Sequence, residues 1–162
     1  MIKTIIFDWG NTLMKDFNKS GPMYLWDYLE NVSDIDTLLK KLIKYNIKLI
    51  AASSASDSNS EMMKKAFIKT GIDIYFDSFY TSAELKYKKP DTNFFYSILK
   101  LENILPAETI VIGDSYEKDY LPSKECGCFS ILFDWQKKYP VSIKNRAISS
   151  SELFSIIFDN IS

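Results

Sequence analysis

Asp8 stands directly behind the apolar, β-branched run of residues 2–7, and Ser53 and Ser54 follow the run of 47–52. Lys89 lies in Lys88-Lys89-Pro90-Asp91, and Asp114 follows the run of 109–112, with Asp119 five residues further on. Each has an ordinary structural use, since aspartates close turns and serines cap helices. Together they make a phosphate site. A carboxylate can attack phosphorus to give an aspartyl-phosphate. Two carboxylates that repel each other are reconciled by a hard cation such as Mg²⁺. A serine hydroxyl and the backbone N–H groups of a helix start can hold phosphoryl oxygens, and a lysine neutralises and positions the group.

The chain contains no histidine. That excludes Ser-His-Asp and Cys-His catalysis, a histidine zinc site and a phosphohistidine. Its two cysteines cannot build a four-thiolate metal site, and Cys126 and Cys128 read as small core residues of a reduced, intracellular protein. Chemistry falls to carboxylates, hydroxyls and lysines.

The elements that must position these residues alternate between strand and helix. Strands are expected at 2–7, 47–52, 109–112 and 128–133, with a weaker one at 75–80. Pro22 opens a short helical pattern carrying Leu25, Tyr28, Leu29 and Val32, and Ser33 reads as the N-cap of a helix over 34–45. Further helices carry Met62, Met63, Ala66 and Phe67 up to Gly71, then Phe94, Phe95, Ile98 and Leu99 from Pro90, and finally Leu153, Ile156 and Ile157. This alternation implies a parallel sheet covered by helices on both faces, with its chemistry at the carboxyl ends of the strands. At 162 residues the chain reads as a single α/β domain, 1–162. A net charge of -1 and a single arginine, Arg146, argue against general nucleic-acid binding. No apolar run approaches the roughly 20 residues of a membrane span, so a cytoplasmic location is the expectation.

These residues resemble the haloacid dehalogenase (HAD)-like hydrolases. Phe7-Asp8-Trp9-Gly10-Asn11-Thr12-Leu13 is similar to the family's first motif and Ile50-Ala51-Ala52-Ser53 to its second. Lys89-Pro90-Asp91 is similar to its third, and Ile112-Gly113-Asp114-Ser115-Tyr116-Glu117-Lys118-Asp119 to its fourth. The resemblance spans residues 1 to about 133, in the family's order. It implies a three-layer Rossmann-like fold and a Mg²⁺-dependent phosphatase in which Asp8 is nucleophile and metal ligand. The Gly10 carbonyl and Asp114 would be the other ligands. Ser53 and Lys89 would bind and stabilise the transferring phosphoryl group, with Ser54 and Asn11 also at the substrate. Thr12, Ser115 and Asp119 would support the site.

One position departs from the pattern. Family phosphatases carry a second aspartate two residues after the nucleophile, as general acid and base, and here that residue is Gly10. General acid–base catalysis is worth typically 10²–10⁴-fold, so slow turnover is expected, least impaired on good leaving groups. Asp16 and Asp57 are candidates to substitute. Phosphonoacetaldehyde hydrolases, with Asp-Trp-Ala-Gly-Thr at this motif, and haloacid dehalogenases also lack that aspartate, but use a larger cap. Residues 14–32 leave room for a vestigial cap at best, hence an open site suited to a phosphorylated small molecule or macromolecule, or to a partner chain that supplies a cap. Trp9, Met23, Tyr24, Trp26 and Tyr28 either line its mouth or pack a short helix onto the domain. A catalytically weak phosphate- or partner-binding protein is the alternative that Gly10 supports. A two-component receiver domain is disfavoured, because it would place paired acids after the first strand and its phosphoacceptor after the third.

Overall fold

The computed structural model describes residues 1–162. Six parallel strands form one sheet: β1 (Thr4–Phe7), β2 (Lys48–Ser53), β3 (Ser78–Thr81), β4 (Thr109–Gly113), β5 (Phe129–Phe133) and β6 (Arg146–Ala147). Their order is β3-β2-β1-β4-β5-β6, with Ile6 level with Ile50 on one side and with Val111 on the other. The order reverses at β1, so a crevice opens beyond its carboxyl end between β2 and β4, where Asp8 follows.

The strands are apolar on both sides because both faces are covered. Side chains alternate across the sheet, and Ile5, Phe7, Leu49, Ala51, Ile110, Ile112, Ile131 and Phe133 face one way. Against them pack α1 (Ile35–Leu42), α2 (Ser60–Thr70) and α6 (Ser150–Ile161). Ile6, Ile50, Ala52 and Val111 face α4 (Asn93–Glu102), whose Phe94, Phe95, Ile98 and Leu99 bury with Cys126 and Cys128. The short helices α3 (Ser82–Leu85) and α5 (Leu121–Glu125) complete the chain's helical elements. No helix is long and apolar enough to cross a membrane.

Several local expectations are corrected. The helical pattern after Pro22 yields only a 3₁₀ turn at Met23–Leu25, because Trp26 turns extended. A bridge from Met14 to Asn31 and the Lys15 N–H bonded to the Glu30 carbonyl draw the segment's ends together. Leu25 and Tyr28 are exposed, while Val32 is buried. Ser33 is not the cap of α1. Asp34 holds that position in a left-handed conformation without a side-chain cap bond, and the Ser33 carbonyl accepts the Ser150 hydroxyl. The strand expected at 75–80 lies at Ser78–Thr81, behind a 3₁₀ turn at Asp73–Tyr75. The helix expected from Pro90 begins at Asn93, whose N–H donates to the Asp91 carboxylate. β6 is two residues long, carries no apolar run, and has no counterpart in the sequence reading.

Candidate active site

The carboxyl edge of the sheet brings the separated residues together. Asp8 leaves β1 with its N–H bonded to the Ile112 carbonyl, so β4 fixes the start of the loop. The loop turns at Asn11, which has a positive φ of 57°, and its N–H donates to the Met14 carbonyl. Its carbonyl accepts the indole N–H of Trp135 at 2.7 Å. Thr12, fully buried, donates to Asp8 Oδ2 at 3.0 Å, and its Oγ1 lies 3.4 Å from Asp114 Oδ1.

Lys89 is the electrostatic centre. Its ammonium is buried and donates to Asp8 Oδ1 at 2.9 Å, Asp119 Oδ1 at 2.7 Å and the Ala52 carbonyl at 3.1 Å. The rings of Phe94 and Phe95 flank it. Burial alone would lower its pKa, but the charges of Asp119 and Asp8 outweigh burial and raise it, so it stays an ammonium. Lys89 is held from its backbone too, where its N–H donates to the Ser54 hydroxyl at 2.9 Å. That assigns Ser54 a positioning contact on the cleft wall. Ser53 ends β2, lines the cleft, and its Oγ accepts the Ala55 N–H.

Asp114 follows β4 and leads through Ser115 into a π-helical turn, Tyr116–Tyr120. The extra residue in that turn bonds the Tyr120 N–H to the Ser115 carbonyl and folds Asp119 back under the strand end. There Asp119 Oδ2 accepts the Ser115 N–H at 3.2 Å, while the Ser115 hydroxyl accepts the Lys118 N–H. Gly113 is required by this arrangement, since a Cβ on it would lie 2.2 Å from Asp119 Cγ. Burial first, then the Asp8 charge, push Asp114 up to about 8. Asp119 is pushed to about 6 by burial and Asp8, against the pull of Lys89.

Carboxylate oxygens of Asp8, Asp114 and Asp119 lie within 4.8 Å of one another. Asp119 is buried, with one oxygen on Lys89 and the other on the Ser115 N–H, whereas Asp8 and Asp114 are partly exposed at the cleft, a crowded pair of hard oxygen donors beside the Gly10 backbone. That donor chemistry fits Mg²⁺. The cleft around them, about 580 Å³, has 22 lining residues of which only 5 are hydrophobic, so its occupant is polar. Asn11 lies on its wall, with its side-chain oxygen taken by the Asp16 N–H. Trp9, Met23 and Trp26 are buried in packing and also reach the wall. Tyr24 and Tyr28 do not reach it: Tyr24 carries the Lys65 ammonium on its ring, and Tyr28 rests against Phe17.

The sequence reading missed the loop after β5. Trp135 anchors Asn11, and Lys138 and Tyr139 line the cleft together with Lys19 and Lys118. Asp134 shapes this loop from a buried position. It accepts the Lys138 N–H at 2.8 Å, the Tyr139 N–H at 3.0 Å and the Arg146 guanidinium at 2.8 Å. The signal was available, because Asp134 follows an apolar run as Asp8 and Asp114 do.

The reversed strand order and the polar crevice define a doubly wound α/β fold with its candidate site at the sheet's carboxyl edge. The chain belongs to the haloacid dehalogenase-like hydrolase family, whose model matches residues 5–133. It is 29% identical over 120 residues to haloacid dehalogenase-like hydrolase domain-containing protein 3 of Bos taurus, covering 74% of this chain and 44% of that protein. It is 38% identical over 64 residues to glyceraldehyde 3-phosphate phosphatase of Methanocaldococcus jannaschii, covering 40% of this chain and 28% of that protein. The chain therefore spans less than half the length of these curated relatives. An uncharacterized protein from Listeria monocytogenes serotype 4b superposes with a TM-score of 0.84 at 21% identity, over 97% of both chains. A HAD phosphatase from Thermococcus onnurineus superposes with 0.80 at 16% identity, over 96% of this chain and 98% of that one. These structural likenesses show the fold.

Proposed function

We propose that this chain is a Mg²⁺-dependent phosphoric-ester hydrolase that works through an aspartyl-phosphate on Asp8. The observation that carries the reading is the shared grip on Asp8: the buried Lys89 ammonium holds Oδ1 at 2.9 Å and the Thr12 hydroxyl holds Oδ2 at 3.0 Å. A carboxylate fixed at both oxygens presents its lone pairs in one orientation, which is what in-line attack on phosphorus requires. Lys89 also sits where charge builds on the transferring group, and its buried, preorganised ammonium is worth more there than in water. Ser53, at the end of the neighbouring strand and on the cleft wall, would offer its hydroxyl to a phosphoryl oxygen. Mg²⁺, held by Asp8, Asp114 and the Gly10 carbonyl, would supply charge neutralisation at the phosphoryl group. The phosphatase relative and the phosphatase of the same fold support this reading.

The polar cleft, with Lys19, Lys118 and Lys138 on its wall, suits an anionic phosphorylated substrate, small or part of a macromolecule. The test is hydrolysis of para-nitrophenyl phosphate with and without Mg²⁺, alongside Asp8→Asn. Metal-dependent turnover that the substitution abolishes is expected. A second reading, a phosphate-binding protein without significant turnover, is favoured by one observation, the absence of a side chain at Gly10. It would be upheld by Mg²⁺-dependent binding of beryllofluoride with no hydrolysis of the ester.

A further inference from the structure

Cleaving an unactivated phosphate ester needs a proton at the departing alkoxide, and hydrolysis of the acyl-phosphate needs a base for water. The carboxylates on the cleft wall are Asp8, Asp16, Asp57, Asp114 and Asp119. Asp8 and Asp114 are committed to the nucleophile and metal positions, and Asp119 is held by Lys89. Two are free for proton transfer.

Of these, Asp16 stands at the relevant place. A Cβ built on Gly10 would meet Asp16 Cβ and Oδ2, each at 3.7 Å, and nothing else within 4 Å. The Asp16 carboxylate thus flanks the space that a side chain at position 10 would enter, two residues beyond Asp8. Its position is braced. The Asp16 N–H donates to Asn11 Oδ1 at 2.9 Å, and Asp16 Oδ1 accepts the Asn18 N–H at 2.8 Å. Asn11 is in turn tied to Trp135 through its carbonyl. One carboxylate oxygen is therefore used as an anchor, while Oδ2 faces the crevice beside Gly10. Asp57 follows β2, does not come within 4 Å of the Cβ position at Gly10, and its Oδ1 accepts the Ser58 hydroxyl.

We propose that Asp16 is the proton-transfer residue of this hydrolase, reaching from the following loop into the place left vacant at Gly10. The proposal rests on the phosphatase reading above. In the first step Asp8 Oδ bonds to phosphorus as the P–O bond to the alcohol breaks, and the Asp16 carboxyl passes its proton to that departing oxygen. In the second, water attacks phosphorus as the Asp8–phosphorus bond breaks. The Asp16 carboxylate takes the water's proton, inorganic phosphate leaves, and the enzyme is regenerated.

The experiment compares kcat/KM for para-nitrophenyl phosphate, whose leaving group needs little protonation, and benzyl phosphate, whose leaving group needs it fully. Asp16→Asn should lower the benzyl ester about 10²–10⁴-fold and the nitrophenyl ester by less than about tenfold. Gly10→Asp should recover most of the loss in the Asp16→Asn background. Thermal melts check that the variants fold, as expected for a change at an exposed residue. An equal fall for both esters, or a selective fall in Asp57→Asn in place of Asp16→Asn, overturns the proposal. So does a gain of about 10²-fold from Gly10→Asp in the wild type, which would show that no acid was present. Absence of Mg²⁺-dependent turnover of either ester by the wild type is a different result: it removes the phosphatase reading, and the proposal with it.

Discussion

Gly113→Ala tests the reasoning about the site with a single methyl group. The added Cβ would lie 2.2 Å from Asp119 Cγ and 2.3 Å from its Cβ and Oδ2, where ordinary contact begins near 3.4 Å. One partner must move by more than an ångström. Gly113 is the last residue of β4, buried and paired to Leu132, so the strand resists and the π-helical turn gives way. Asp119 then loses its 2.7 Å contact with Lys89 and its 3.2 Å bond from the Ser115 N–H. Overpacking of this kind costs about 1–3 kcal/mol. For a chain of this size each kcal/mol moves the melting temperature by about 2–4 °C, so a fall of about 2–12 °C is expected. Because Lys89 also orients Asp8, turnover should fall by about 10²-fold, the cost of an ångström-scale misplacement. A double-mutant cycle with Asp119→Gly isolates the cause. If the clash is with Asp119, Gly113→Ala costs far less in that background. An equal penalty in both backgrounds, or an unchanged melting temperature in the single variant, would refute the account.

Three further outcomes are expected. Lys89→Met leaves Asp8 and Asp119 facing each other without their shared cation; it should abolish measurable turnover and lower the urea midpoint by an amount equivalent to about 3–5 kcal/mol at neutral pH. Metal-free protein should lose stability as pH rises from about 4 to 8. Asp119 and Asp114 are raised from 3.8 to about 6 and about 8, so the folded state keeps protons that the unfolded chain releases. Mg²⁺ replaces those protons, and its stabilising effect in thermal melts should grow over the same window; a metal-free melting temperature that climbs across it would contradict the assignment. Asp134→Ala strands the Arg146 guanidinium and releases the backbone of Lys138 and Tyr139, so stability should fall by about 3–5 kcal/mol in denaturant titration. If the loop serves the substrate, KM should rise more than kcat falls.

Strands β1, β2, β4 and β5 were legible because a parallel strand covered on both faces is a continuous apolar run, and α1, α2, α4 and α6 because each carries one buried stripe. The misread elements lack that signature. β6 is Arg146–Ala147, defined only by its pairing to Leu132 and Phe133. The segment after Pro22 has helical spacing, yet its ends are drawn together by the Met14–Asn31 bridge, a tertiary constraint that no local pattern carries. At Ser33, a favourable cap residue lost its position because Asp34 takes the left-handed conformation and the Ser33 carbonyl is claimed by Ser150, 117 residues away in sequence.

The strand-end aspartates show where sequence reasoning about the site ends. Asp8, Asp114 and Asp134 each follow a buried parallel strand, on β1, β4 and β5, and the apolar run before each is alike. Position in the sheet separates them. Asp8 and Asp114 leave adjacent strands at the point where the order reverses, so both face the crevice, close enough to repel and to raise Asp114. Asp134 leaves one strand further out, where its carboxylate is spent on two N–H groups and Arg146. Its loop returns to the crevice all the same, bringing Trp135 to Asn11 and Lys138 and Tyr139 to the wall. The same residue type thus forms the acidic pair at the switch point and builds the wall beside it. The difference lies in what the carboxylate meets: Asp134 is spent on backbone N–H groups of its own loop and on Arg146, while Asp8 and Asp114 face each other across the Thr12 hydroxyl at the cleft, a crowded acidic pair suited to a cation.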